Sequence, residues 1–308
     1  MRLEGRRALK NQVFDSEMLD NQVLDSHVIE PLPAPIVWTH LRMPPFPQVA
    51  LKVLQLAANE NVQFRQLVEL ISSDPAFASE VLTVANSVLY APRYPIKSVL
   101  QAIEVLGASH LQGLCLTVGV RAYLGKSLGH PAMRTLWRHN MACALIAQQI
   151  ASAGVMDRDT AYTGGVLHGI GLLALAVVRP DEFIEMLGRF MGTPASLLDR
   201  ERAVFGIDHC ELGQKLVSDW SLPEDFSAVM TAPHVCGSAN GQWGIPEVVG
   251  LSCRMADSAG YSAFSACYAT PFPQLLDELP QRERKLFHTD VQTLAFEVSK
   301  KIAALEAI

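Results

Sequence analysis

The clearest sign of helical structure is in residues 74–90, DPAFASEVLTVANSVLY. This stretch contains the start, the buried face and the end of one short helix. Asp74 is a favoured N-cap residue, and Pro75 fits the first helical position, where a missing backbone N–H costs nothing. The apolar side chains then follow the spacing of one helical face: Phe77, Val81, Val84, Ala85 and Val88. We therefore predict a helix that begins beside Asp74 and ends near Asn86.

The helical pattern continues on both sides of this stretch. Two apolar stripes precede it, one made of Phe46, Val49, Ala50, Val53, Leu54 and Ala57 and the other of Phe64, Leu67, Val68 and Ile71. Three further helix starts resemble capping boxes: Ser98 with Gln101, Ser109 with Gln112, and Asp208 with Glu211. Long helical patterns also run from Pro131 to Gly154 and from Leu286 to Leu305. Since no alternating strand with a hairpin turn accompanies them, we predict an all-α fold.

The first 35 residues form an N-terminal extension with a ten-residue near-repeat, NQVFDSEMLD followed by NQVLDSHVIE at residues 11–30. Its apolar pairs recur every five residues, which fits neither the helical nor the strand period. The extension is either an arm that docks on a partner or on the protein itself, or a partly ordered tail, and both interpretations stay open. Prolines at 31, 33 and 35 mark its end.

Composition restricts the class of protein. With 308 residues, 49% hydrophobic and 18% charged, the chain can bury a sizeable core. A net charge of −6 gives no basic field for DNA or for an anionic membrane, so we expect neither partner. Six widely spaced cysteines without a CxxC pair indicate reduced thiols, mostly in the core. The N-terminus has no apolar export segment, and we expect a cytoplasmic protein.

Four histidines fall at helix positions in a suggestive order, namely His139, His168, His209 and His234, and Asp257 follows them. Imidazoles and carboxylates that project from facing helices are how a helical bundle builds a metal site. The same residues also fit a plainer interpretation, in which each histidine is a hydrogen-bonded core or surface residue. Spacing alone does not choose between these two interpretations.

Several longer motifs give a more specific indication. The first half combines a proline-rich entry at MPPFP, the DP-initiated helix, LTVANSVLY and the turn AIEVLG; the second half contains WRHN, GVLHGIG and FGIDHCELGQKLVSDWSLP. From about Leu41 to His234 the chain resembles the HDOD family, the HD-related output domains of bacterial signalling proteins. Its second half is similar to the part shared with HD-superfamily phosphohydrolases, including the HD-GYP phosphodiesterases.

This resemblance implies a multi-helix bundle like those of the HD superfamily with an N-terminal helical subdomain. Residues 36–127 would form the N-terminal half of the HDOD domain, and residues 128–308 the HD-like half with further C-terminal helices. The resemblance also implies where a metal would lie. In catalytic relatives a first histidine, a His-Asp pair and a later aspartate hold the metal, at the places taken here by His139, His168, Gly169 and Asp257.

Gly169 removes the carboxylate that would bridge two metal ions, and no GYP motif is present. We therefore expect a degenerate site with no catalytic residue and no cofactor. The alternative is one divalent transition metal on His139, His168 and Asp257, since three such ligands and a water make an acceptable zinc or iron site.

The remaining candidates surround this site or lie on the N-terminal half. His209, His234 and Arg138 are expected near the pocket, where Arg138 and Arg121 could hold a phosphate. A second group, Asn86, Ser87 and Tyr90, either contacts a partner or satisfies backbone groups at a helix end.

The resemblance implies a non-catalytic signal-transduction module that contacts a signalling protein, pairs as a homodimer, or senses a nucleotide or cyclic dinucleotide. The alternative is a metal-dependent phosphohydrolase that acts on such nucleotides with a reduced one-metal site.

Overall fold

The computed structural model describes residues 43–57, 63–154, 156–188, 194–234, 243–264, 269–287 and 289–307. Within these ranges the chain forms fifteen α-helices and no β-strand, which confirms the prediction of an all-α fold. The N-terminal extension, with its near-repeat, lies outside the described residues.

The N-terminal half contains five helices: α1 (Gln48–Ala57), α2 (Phe64–Ser72), α3 (Pro75–Ala85), α4 (Val99–Leu106) and α5 (Ala108–Leu124). Ten more follow: α6 (Pro131–Ala153), α7 (Arg158–Leu167), α8 (Ile170–Val178), α9 (Pro180–Gly188), α10 (Pro194–Phe205), α11 (His209–Asp219), α12 (Ile245–Ser258), α13 (Phe272–Glu278), α14 (Gln281–Leu286) and α15 (Val291–Glu306). Three 3₁₀ segments link them, at Gly125–Gly129, Glu224–Phe226 and Ala228–His234.

The helix predicted from residues 74–90 is confirmed, because the Asp74 carboxylate accepts hydrogen bonds from the backbone N–H of Ala76 and Phe77 at 3.0 and 3.1 Å. The predicted stripe is buried as far as Ala85. Val88 does not continue it and is 52% exposed, since it lies past the end of α3, where the helical spacing no longer sets the direction of a side chain.

The caps at Ser98 and Asp208 are also confirmed, with Ser98 Oγ accepting from Gln101 N at 3.1 Å and Asp208 Oδ1 from Glu211 N at 2.8 Å. The cap at Ser109 is wrong. Helix α5 begins at Ala108, two residues earlier than that cap would place it, and its N-cap is Gly107, whose φ of 87° is in the left-handed region that favours glycine. One glycine therefore ends α4 and begins α5.

Helix α6 is the centre of the second half, where α7, α12, α14 and α15 pack against it. Helix α7 approaches it unusually closely, because a Cβ added to Gly165 would lie 2.4 Å from the Cα of Ala144. Any larger residue at position 165 would push the two backbones apart. The helix is interrupted at His168 and Gly169, between α7 and α8. The His168 side chain therefore lies at the end of a helix that packs closely against α6.

One described segment, Arg158–Val178, has the length and hydropathy of a membrane span, but 89% of its apolar window is buried within the fold. It is divided into α7 and α8, and its side chains pack against other helices of the bundle. A mostly buried core helix passes the same test of length and composition, and core packing accounts for its hydrophobicity.

Candidate metal centre

Four side chains from three helices converge in the second half of the fold. His139 and Cys143 come from α6, His168 from the end of α7, and Cys253 from α12, and their potential ligand atoms all lie within 4.8 Å of one another. His139 Nε2 and Cys143 Sγ are 3.4 Å apart. Cys143, His168 and Cys253 are buried, and His139 is partly buried. We call this group the His2Cys2 cluster.

The helices bring these donors together by simple means. His139 and Cys143 are four residues apart, so they share one face of α6. The close approach at Gly165 brings the end of α7, and with it His168, next to that face. Helix α12 packs on α6 and supplies Cys253.

Hydrogen bonds determine which ring nitrogens face the cluster. His139 Nδ1 lies 2.8 Å from the carbonyl oxygen of Tyr261, and His168 Nδ1 lies 2.6 Å from that of Gly165. A carbonyl oxygen can only accept, so both Nδ1 atoms carry the hydrogen and donate it. In each neutral ring the lone pair is then on Nε2, which is the nitrogen that a metal would bind.

Asp257 lies one helical turn after Cys253, with Oδ1 3.6 Å from His139 Nδ1. It therefore stands on the side of the His139 ring that also faces Tyr261, opposite the nitrogen beside Cys143. Burial, aided by repulsion from Cys253 and partly offset by His139, raises the pKa of the Asp257 carboxyl to about 6.

The two thiols differ in their electrostatic surroundings. Burial alone would raise the pKa of Cys253, but hydrogen bonding from Cys143 and the neighbouring His168 and His139 rings lower it well below its ordinary value. Burial would likewise lower the pKa of His139, yet Cys253 and Asp257 together raise it. Burial, the hydrogen bond to Cys253 and the negative charges of Cys253 and Asp257 raise the pKa of Cys143 well above its ordinary value. The electrostatics therefore favour a thiolate on Cys253 and a neutral thiol on Cys143, and a metal ion would bind both as thiolates.

An aspartate at position 169, as in an HD pair, would have to displace the side chain of Asn140. A Cβ added there would lie 2.4 Å from Oδ1 of Asn140, a residue that is only 2% exposed. Asn140 is held in place because its Nδ2 donates to the carbonyl of Val166 at 2.8 Å. The amide of Asn140 thus occupies the space beside the helix break, and its Oδ1 has no hydrogen-bond partner among the described residues.

The two-metal arrangement of catalytic HD proteins does not fit this donor set. That arrangement needs a carboxylate able to bridge two cations, and position 169 supplies none. Two sulfur donors also favour a softer cation than Mg²⁺ or Mn²⁺. The chemistry of the cluster points instead to a single ion, or to thiols and imidazoles that bind one another.

Three of the other residues predicted near the pocket, His209, Arg138 and Arg121, pair with acidic side chains away from the cluster. His209, at the start of α11, donates from Nδ1 to the fully buried carboxylate of Glu201 in α10 at 2.7 Å, and the same carboxylate accepts the backbone N–H of His209 at 2.8 Å. Arg138 forms two 2.7 Å hydrogen bonds with Glu306 of α15. Arg121 lies 3.9 Å from Glu80. The predicted His234 ends a 3₁₀ segment, and its side chain lies outside the described residues.

Asn86, Ser87 and Tyr90 make contacts within the chain. Asn86 donates from Nδ2 to the carbonyls of Leu82 and Ile96, each at 2.8 Å, and its Oδ1 accepts from Ile96 N at 2.7 Å. Ser87 Oγ accepts from Leu89 N at 3.2 Å. Tyr90 packs edge-on against His110 with ring centroids 6.4 Å apart. These contacts close the turn that follows α3.

Sequence reasoning missed Cys143, Cys253 and Glu201. Their apolar surroundings in the sequence predict small core residues, although each cysteine stands four residues from a predicted ligand, in His139-xxx-Cys143 and in Cys253-xxx-Asp257. That helical spacing was the available indication. Nothing in the sequence around Glu201 distinguishes it from an exposed helical glutamate.

A separate surface cavity of about 330 Å³ lies between α1 and the end of α11, where Phe46, Leu51, Gln55 and Trp220 are among the residues that line it. None of the four residues of the His2Cys2 cluster lines this cavity.

Comparison with known proteins identifies the family. A family model described as HDOD domain matches residues 43–236. A candidate signal transduction protein from Marinobacter aquaeolei VT8 has a TM-score of 0.67 at 24% identity, covering 86% of this chain and 60% of that chain. A candidate phosphohydrolase from Shewanella amazonensis SB2B has a TM-score of 0.61 at 20% identity, covering 86% of this chain and 94% of that chain. At these identities the likeness establishes the fold.

In sequence, an uncharacterized protein from Treponema pallidum (strain Nichols) is 26% identical over 187 residues, which are 59% of this chain and 36% of that protein. The chain thus spans about a third of the length of the curated relative that it matches. The family match ends before α12, so Cys253 and Asp257 lie beyond the part of the chain that the family model covers.

Proposed function

The chain belongs to the HDOD domain family, and from this membership we propose that it is a non-catalytic regulatory module of bacterial signal transduction. In this proposal it works in the cytoplasm and passes information by contact with a signalling protein. None of the four cysteines that the structure describes forms a disulfide, which fits a reducing compartment.

The observation that carries the proposal is the packing at Gly169. An aspartate there would require Asn140 to move out of a buried position where it is hydrogen-bonded to Val166. Without that carboxylate the site lacks the group that, in a two-metal hydrolase, bridges the cations and holds the attacking water. The buried amide of Asn140, which occupies the adjoining space, supports this proposal.

A hydrolysis assay tests this proposal. We would incubate the protein with bis(p-nitrophenyl) phosphate or cyclic di-GMP in the presence of Mg²⁺, Mn²⁺, Fe²⁺ or Zn²⁺, beside His168→Ala. We expect equal, background rates for the two proteins. Turnover by the wild type that His168→Ala abolishes would instead establish a phosphohydrolase.

Protein contact is favoured over nucleotide sensing by the state of Arg138. Its guanidinium already makes two 2.7 Å bonds to Glu306, which a phosphate would have to displace.

Exposed large apolar side chains are also concentrated in the N-terminal helical half, which holds five of the seven that occur among the described residues: Phe64, Val88, Tyr94, Leu100 and Val105. We infer that this half makes the contact with a partner.

Thermal melts with added nucleotides and cyclic dinucleotides distinguish the two modes. If the module works by protein contact alone, we expect no shift in melting temperature. A saturable shift that Arg138→Ala removes would favour a nucleotide sensor.

A further inference from the structure

We propose that His139, Cys143, His168 and Cys253 bind one zinc ion in a closed, tetrahedral, non-hydrolytic site. The site goes beyond the regulatory role proposed above and does not depend on it. Its ligand set also differs from the one expected from the sequence, because two thiols replace Asp257.

The spacing of the donors suits a tetrahedral ion. Zinc binds sulfur at about 2.3 Å and nitrogen at about 2.0–2.1 Å, so ligand atoms around one ion are about 3.3–3.8 Å apart. His139 Nε2 and Cys143 Sγ are already separated by 3.4 Å. All four donors lie within 4.8 Å of one another, so small side-chain rotations complete the shell.

The hydrogen bonds around the cluster hold both imidazoles in the form that a metal needs. Metal-bound histidines nearly always donate their second ring N–H to a carbonyl or a carboxylate, which fixes the tautomer and the ring direction. Here Tyr261 and Gly165 provide those carbonyls at 2.8 and 2.6 Å. Asp257, 3.6 Å from the same nitrogen of His139, adds a negative charge on the outer side of that ring.

The donor types select zinc over the harder cations. Thiolates and imidazoles suit Zn²⁺, whereas Mg²⁺ and Mn²⁺ prefer carboxylate and carbonyl oxygen. Because four protein ligands fill a tetrahedral shell, no position is left for a water that could attack a phosphoester. The ion would join α6, α7 and α12, and would thereby connect the HDOD domain to a helix beyond its end.

The test is elemental analysis of the full chain, purified without chelator from cells grown with zinc. We expect about one zinc per chain in the wild type and less than about a tenth of that in Cys143→Ala and Cys253→Ala. Cys115→Ala is the matched control, because Cys115 is equally buried but lies outside the cluster, and it should keep the ion. Asp257→Asn should also keep it.

Cobalt replacement gives a second readout that needs neither activity nor variants. Exchange of zinc for Co²⁺ should give the visible bands of a tetrahedral ion and a thiolate-to-cobalt charge-transfer band in the ultraviolet. If the cysteine variants fail to fold, as judged by circular dichroism, this spectrum of the wild type decides the question.

Three results would overturn the site: a folded wild type without metal, a disulfide between Cys143 and Cys253 in the freshly isolated protein, or zinc that survives both cysteine variants but is lost in Asp257→Asn. The last result would identify the carboxylate set instead. The zinc site and the proposed regulatory function can be refuted independently of each other, because a zinc-free protein can still be non-catalytic.

Discussion

For single residues in the core, the immediate neighbours determine which polar side chain a buried position accepts. Asn140 fills the space beside Gly169, and Glu201 is the partner of His209. A buried polar group without a partner costs about 1–3 kcal/mol, so each of these pairs constrains which residues the position accepts.

Gly169→Asp should destabilise the protein by about 1–3 kcal/mol, because the new side chain forces Asn140 out of its place. We also expect no gain of phosphoesterase activity. Urea denaturation measures the loss, with Gly188→Asp as the control, since an added Cβ at that exposed glycine meets nothing within 4 Å. Equal stability of the two variants would mean that the space at position 169 is open.

The His209–Glu201 pair should make stability depend on pH. Burial opposes the charge on His209, but Glu201 outweighs it and raises the pKa of the imidazole to about 10, from an ordinary value of 6.5. When the pKa of a group is higher in the folded than in the unfolded protein, the group stabilises the fold fully at pH values below its unfolded-state pKa. This stabilisation is lost as the pH rises through the folded-state pKa. The contribution of the pair should therefore decline between about pH 6.5 and 10.

Glu201→Gln provides the reference for this effect. It should cost about 3 kcal/mol at pH 6, where a protonated His209 loses its buried counter-charge, and the difference from the wild type should shrink towards pH 10. Denaturation curves at several pH values measure that difference. Parallel pH profiles would show that His209 is uncharged in the folded protein.

Among the helices, the ends are the most specific features, because single residues there join one helix to the next or close a turn. Gly107 joins α4 to α5, and His168, between α7 and α8, is one of the four residues of the His2Cys2 cluster. The turn after α3 is closed in the same manner by one side chain, Asn86, which binds backbone on both sides of it.

Asn86→Ala should lower the free energy of unfolding by about 2–3 kcal/mol, because three hydrogen bonds are lost and both the N–H and the carbonyl of Ile96 lose a partner. Ser87→Ala is the matched control and should cost less than about 1 kcal/mol, since it removes a single 3.2 Å contact. Chemical denaturation compares the two. A small effect at Asn86 would leave partner contact as its role.

At the scale of the whole molecule, helices beyond the family match complete the second half of the fold. Helix α12 packs on α6 and α7 and buries Val248, Val249, Gly250, Leu251, Ser252, Cys253, Met255 and Ala256. Helix α15 also packs on α6, and buries Leu294, Val298, Ile302 and Leu305.

We therefore expect a graded response to shortening the chain. A chain that ends after residue 236 should lose its cooperative melt, because its α6 and α7 lose the helix that covers them. A chain that ends after residue 290 should still melt cooperatively, at a lower temperature. Thermal melts followed by circular dichroism compare both with the full chain. If the chain that ends after residue 236 melted at the same temperature as the full chain, the C-terminal helices would not contribute to the stability of the rest of the fold.

The all-α fold, the family and three helix starts could be predicted from the amino-acid sequence, because they depend on local spacing and on side chains that cap their own backbone. Asp74, Ser98 and Asp208 act within three residues of themselves, so their patterns can be read along the chain. The amino-acid sequence also located His139 and His168, whose order along the chain resembles that of the family.

Which residues share the space between helices depends instead on how the helices pack, and local sequence patterns do not predict it. Cys143 and Cys253 are 110 positions apart in the sequence and look like ordinary core cysteines until α6 and α12 pack together. The pairing of Arg138 with Glu306 and of Glu201 with His209 likewise depends on where separate helices meet. Helical periodicity gives the face of a residue, but only packing gives that face its neighbour.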